Sequence, residues 1–146
     1  MAKTIPPAEL ADRLHAGAVR LLRRLRRSDA EAGLSGPQAS ALSVLVFGGP
    51  TSLKALAAAE QVKPPTMSRL VSDMEVAGLV TRVRSPDDAR AVVITATPRG
   101  RTLLLEARER RLRDLTASLE GLSVKDRAVL TRAADLLEGI GADQAP

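Results

Sequence analysis

The sequence predicts a mainly α-helical fold carrying one small β hairpin, and three observations lead there. Apolar residues make up 45% of the 146, yet Phe47 is the sole aromatic, so Leu, Val, Ile and Ala must fill the core. Such a core favours helices packed on helices over a broad sheet, which draws on β-branched and aromatic side chains. Apolar positions recur at steps of three and four through most of the chain, the period of one helical face. The exception is a pair of β-rich runs, "VTRVRS" and "AVVITA", set around the polar "PDDAR".

The first helix is expected from about Pro7 to Ala32, with Leu10, Leu14, Ala18, Leu21, Leu22 and Leu25 along one face. Arg20, Arg23, Arg24, Arg26 and Arg27 crowd its last turns, where cations suit the helix dipole; they read as a solvated helix end or as a phosphate contact. Gly33 is placed to stop this helix. Pro37 can open a second one through Ala39, Leu42, Leu45 and Val46, which Gly48-Gly49-Pro50 ends. Ser52 suits the N-cap of a short third helix with Leu53, Leu56 and Ala57 turned inward.

A break around residues 60–63 precedes "KPPTMSRLVSDMEVAGLV". Proline suits the first turn of a helix, where its missing N–H would have had no intrahelical partner. Pro64 also biases Lys63 away from the helical region, which forces a corner between two helices. Met67, Leu70, Val71 and Met74 form a buried stripe at i, i+3, i+4 and i+7, leaving Pro65, Ser68, Arg69 and Ser72 on an accessible face.

Gly78 ends this helix and the hairpin follows, with Arg82 and Arg84 on one side of its first strand and Thr81 and Val83 on the other. Pro98 opens a long helix bearing a leucine seam of Leu105, Leu112, Leu115, Leu119 and Leu122. Ser123 can cap a last helix holding Leu130, Ala133, Leu136, Leu137 and Ile140. The expected organisation is an N-terminal helix (1–35), a central region of short helices and hairpin (36–97), C-terminal helices (98–141) and a disordered tail (142–146).

Helix, tight break, helix and basic hairpin is the plan of a winged helix-turn-helix, and its physics suits duplex DNA. The second helix can enter a major groove with small polar side chains and an arginine, while the hairpin reaches an adjacent minor groove. The charge agrees. The chain carries a formal +5, with seven Lys/Arg against four Asp/Glu in residues 1–50, seven against five in 51–100, and eight of each thereafter. Such an excess fits an anionic partner without identifying one.

Other classes fare worse. One histidine, no thiol and no glycine-rich phosphate loop leave little catalytic machinery, and no cofactor is expected. The lack of cysteine excludes disulfides and thiolate zinc sites. Asp87 and Asp88 could suggest a metal pair, but without a nearby histidine they fit turn capping, and no metal is expected. No apolar run approaches the roughly 20 residues that span a bilayer, and no secretory signal is evident, so a cytosolic protein without membrane contact is expected. The rival to DNA binding is a helical scaffold that docks its leucine faces on another protein.

From about Leu34 to Ile140 the chain resembles the multiple-antibiotic-resistance regulator (MarR) family. The stretches that carry the likeness are "LSGPQASALSVL", "KALAAAEQVKPPTMSRLVSDMEVAGLVTR", "SPDDARAVVITATPRGRTLL" and "LEGLSVKDRAVLTRAADLL". The resemblance implies a dimeric winged-helix transcription regulator, usually a repressor, on a palindromic operator. Many members release DNA when a lipophilic or phenolic compound fills a crevice between the dimerisation and DNA-binding parts. On this likeness Pro65, Thr66, Ser68 and Arg69 are recognition-helix positions, Arg90 is the wing's reaching arginine, and Asp88 is the acid that shapes the wing. Two departures stand out: Ala89 replaces the middle arginine of a common Asp-Arg-Arg, and Gln61 stands where the turn often has glycine.

The expected DNA-facing set is therefore Ser52 and Lys54 on the bracing helix; Lys63, Pro65, Thr66, Ser68, Arg69 and Ser72 on the recognition helix; and Arg82, Arg84, Asp88 and Arg90 on the wing. An effector pocket, if the family's habit holds, would be aliphatic, drawn from Leu42, Val46 and Met74 with His15; an ordinary surface or interface role for His15 is the alternative. The dimer interface is expected to use Leu10, Leu14, Leu112, Leu115, Leu119, Leu136, Leu137 and Ile140.

Overall fold

The computed structural model describes residues 5–85, 87–88 and 91–142. Within them the chain runs α1 (Pro7–Glu31), α2 (Gly36–Gly48), β1 (Thr51–Ser52), α3 (Leu53–Ala59), α4 (Pro64–Val76), β2 (Val80–Arg84), β3 (Val92–Ala96), α5 (Pro98–Glu120) and α6 (Val124–Ala142). This is the mainly helical winged-helix arrangement that the sequence predicts. The tail, from residue 143 on, lies outside the described residues.

Local chemistry sets the helix starts. Ser35 and Gln38 form a reciprocal capping box at α2: the Gln38 N–H donates to Ser35 Oγ (3.3 Å) and the Ser35 N–H donates to Gln38 Oε1 (2.9 Å). Each bond satisfies a donor that the first turn would otherwise strand. Ser52 caps α3 by accepting from the Ala55 N–H at 3.1 Å, and Ser123 caps α6 by accepting from the Asp126 N–H at 3.1 Å.

The sheet is antiparallel with strand order β1-β3-β2. A third strand was not expected: β1 is only two residues long and carries no alternation to read. It pairs Thr51 with Ile94 and Ser52 with Val93, so it braces the root of the hairpin. Beyond Val93 the ribbon continues on two strands through the pairing of Arg84 with Val92.

The chain falls into two compact units, residues 1–111 and 112–146. The first has a core of Leu42, Leu56, Met67, Val71, Met74, Val80, Ile94 and Leu104, each 1% exposed or less. On α5 the core face is Gly100, Leu104 and Ala107, while Leu105 of the leucine seam is exposed. Leucines stand on more than one face of α5, and periodicity alone does not say which face meets the core.

The arginines of α1 also need correction. The helix runs on to Glu31, its last turn holds no basic residue, and Arg20 to Arg27 lie further back. The acidic side chain near that end is drawn inward: Asp29 is buried and accepts from Arg111 Nη1 at 2.6 Å. In the second unit, every described position of α6 from Val124 to Ile140 is exposed except the half-buried Ala133. No helix among the described residues is long and apolar enough to cross a membrane.

Candidate nucleic-acid interface

Helix α4 is positioned by its entry and its buried stripe. Gln61 takes a φ of +53°, turning the chain out of α3, and its N–H donates to the Ala58 carbonyl at 3.1 Å. Lys63 is extended (φ −70°, ψ 145°) as the residue before a proline must tend to be, and it offers no side-chain cap. None is needed at the first two helical positions, because Pro64 and Pro65 have no N–H to satisfy. Met67, Val71 and Met74 are sealed in the core and Leu70 is half-buried. Rotation of the helix is thereby fixed, which leaves Pro65, Thr66, Arg69 and Ser72 exposed and Ser68 half-buried.

That outer face offers hydroxyls and one guanidinium, groups able to meet base edges and phosphates. Lys54 and Lys63 are exposed beside it, on α3 and at the entry to α4, whereas the Ser52 hydroxyl is engaged as a cap.

On the wing, Val80 is buried while Arg82 and Arg84 are exposed along the same side of β2. Arg82 reaches back to α4. Its Nε donates to Glu75 Oε2 at 3.2 Å and its Nη2 to Ser72 Oγ at 3.0 Å. Ser72 in turn donates to the Ser68 carbonyl at 2.9 Å. Two side chains expected to face DNA are thus bonded to each other across the two elements. The missed residue is Glu75, whose only sequence signal is a carboxylate just before the Gly78 turn that returns the chain to Arg82.

Near the tip the Ser85 N–H donates to the Ala91 carbonyl (2.8 Å) and the Ala91 N–H to the Asp88 carbonyl (2.9 Å). Asp88 is exposed; Arg90 and Ala89 lie outside the described residues. Among the described residues no group of three or more His, Cys, Asp or Glu could hold a metal ion.

One joint ties these parts together. Thr97 Oγ1 donates to the Gly78 carbonyl at 2.7 Å and accepts from the Gly100 N–H at 3.0 Å, while the Thr97 N–H donates to the Leu79 carbonyl at 3.0 Å. The exit of α4, the end of β3 and the first turn of α5 meet there. Gly78 makes the turn possible with a φ of +72°.

Of the residues expected to line an effector pocket, Leu42, Met74 and Val46 meet in or against the core and His15 stands apart. Leu42 and Met74 are fully enclosed in the core, and His15 is exposed on α1 outside that cluster. Val46 also borders a cleft of about 390 Å³ shared with Leu45, Gly49, Thr95, Pro98 and Arg101. Of the residues expected at a dimer interface, Leu10 and Leu14 are exposed in the first unit. Leu112, Leu136, Leu137 and Ile140 are exposed in the second, with Leu115 and Leu119 half-buried.

Comparison with known proteins converges on the same identity. Residues 32–91 match the MarR family profile. The chain is 34% identical over 139 residues to an uncharacterized HTH-type transcriptional regulator of Mycobacterium bovis, covering 95% of this chain and 96% of that one. A MarR family protein structure from Bacillus stearothermophilus superposes with a TM-score of 0.82 at 30% identity, over 92% and 94% of the two chains. Escherichia coli MarR without ligand, 19% identical with a TM-score of 0.72 over 92% and 98%, shares the fold.

Proposed function

The chain belongs to the MarR family of DNA-binding, winged-helix transcriptional regulators, and on that premise we propose that it acts as a homodimeric repressor on a palindromic operator. It is a regulator, not an enzyme. The observation that carries the reading is the outer face of α4. The enclosed Met67, Val71 and Met74 anchor it, so that Thr66 and Arg69 project toward solvent beside an arginine-bearing wing. In this reading Pro65, Thr66, Ser68 and Arg69 address the major groove, Lys54 and Lys63 the flanking phosphates, and Arg84 and Arg90 the wing's groove.

Dimerisation is supported by apolar side chains that the single chain leaves open. Leu10 and Leu14 on α1 are 46% and 44% exposed, and Leu136, Leu137 and Ile140 on α6 are 57%, 50% and 66% exposed. Fully burying a leucine is worth about 1.5–3 kcal/mol, a strong incentive to cover these faces with a second copy. Two copies then present two α4 helices at half-sites one turn of duplex apart, on the order of 34 Å.

The repressor works in the cytoplasm and yields to a small lipophilic, acidic effector. The cleft at Val46 fits that chemistry, with mostly apolar walls and the Arg101 cation among its lining residues. Selecting genomic fragments with the purified protein tests the whole reading. Expected are palindromic sites, two footprints one turn apart, and affinity that falls steeply with salt as counterions are released. A monomer in solution, or indifference to every genomic duplex at low ionic strength, would falsify it.

A further inference from the structure

We propose that Arg82 is a positioning residue: its guanidinium braces the wing against the reading helix and leaves DNA contact to its neighbours. The inference deepens the DNA-binding reading and rests on it. The guanidinium uses two separate edges, Nε toward Glu75 and Nη2 toward Ser72, so it is fixed in direction as well as place. Its second partner is itself fixed, because the Ser72 hydroxyl proton is committed to the Ser68 carbonyl within α4. A planar fork held at two points resists rotation, which the point charge of a lysine would not do.

The wing needs such a brace. β1 supports β3 only at Val93 and Ile94, and Arg82 pairs with Ile94 from the other side. Outward of that level the ribbon is two-stranded, an arrangement of marginal stability in water. Covalently, β2 joins α4 through the short turn at Ala77–Leu79. The side chains of Arg82 and Glu75 are 33% and 44% exposed, so the pair adds little to global stability. Its effect is on where Arg84 and the tip point relative to α4.

Conservative variants separate a brace from a phosphate contact. Arg82→Lys keeps the charge and loses the fork; Glu75→Asp keeps the charge and loses the reach. Each is expected to weaken binding of the selected operator about fivefold, to leave the salt slope unchanged, and to add nothing to the other in the double variant. In the free protein, both are expected to speed amide exchange of residues 80–84 while the unfolding midpoint stays put. Wild-type affinity in Arg82→Lys, additive effects, or a salt slope reduced by about one in Arg82→Ala would overturn the brace in favour of direct phosphate contact. If the wild type selects no duplex, the DNA-binding reading falls. The exchange measurement then still decides the brace, and unaltered exchange in both variants overturns it.

Discussion

A Cβ placed on Gly100 would overlap the carbonyl oxygen of Leu79 and meet Leu42 Cδ2 at 3.2 Å. The first turn of α5 lies directly on the backbone between α4 and β2, and only a residue without a side chain lets it. Gly100→Ala therefore opposes two effects. Alanine gains roughly 1 kcal/mol of helix propensity, but overlap with backbone and a buried leucine costs more. The expected net loss is about 2 kcal/mol, read as a lower urea midpoint with an unchanged m-value.

Gln61 is the one non-glycine residue with positive φ among the described residues. Holding a side chain in that region costs about 1 kcal/mol, partly regained because glutamine loses less entropy than glycine on folding. Gln61→Gly is expected to stabilise the protein by about 0.5 kcal/mol, and Gln61→Val to destabilise it by roughly 1 kcal/mol or more. Equal thermal midpoints for the three proteins would show that the corner carries no strain.

The Asp29 carboxylate is buried against Arg111, whose side chain is 23% exposed. Arg111→Met leaves a carboxylate in a dry site without its partner. The expected cost is about 2 kcal/mol, less than for a fully enclosed pair because water reaches the arginine's side. Asp29→Asn, which keeps an acceptor for the guanidinium, should cost about half as much. Urea melts at neutral pH check the order, and the reverse order would place the stabilisation elsewhere.

Arg69→Ala tests the reading face itself. Loss of one guanidinium from the groove is expected to weaken operator binding about tenfold and leave the dimer intact. A gel-shift titration showing unchanged affinity would remove Arg69 from the interface.

Arg90→Ala tests the wing tip. Affinity is expected to fall about fivefold, with protection lost at the operator flanks and retained at its centre. An unchanged footprint would leave the minor groove to other residues.

Much of this was legible because certain residues admit few structural roles. Twin prolines announce a helix start, Ser52 and Ser123 announce caps, and a period of 3.6 puts Met67, Val71 and Met74 on one side. What escaped reading depends on partners distant in sequence or on local patterns too short to read. A two-residue strand exists only because β3 runs beside it. Arg82 reads as a DNA-facing cation of the wing until the fold brings Glu75 alongside. Leu105 and Leu104 look interchangeable until packing chooses between adjacent faces of α5.

The hydroxyl of Thr97 has a mechanical consequence. It clamps the root of α5 to the Gly78 carbonyl in the turn after α4, while Pro98 and Arg101, one and four residues on, line the cleft beside Val46. A wedge driven into that cleft would push on the short arm of a lever whose fulcrum is the joint that Thr97 makes with Gly78, Leu79 and Gly100. On the proposed function, a guest there would act on α4 through that turn without approaching the duplex.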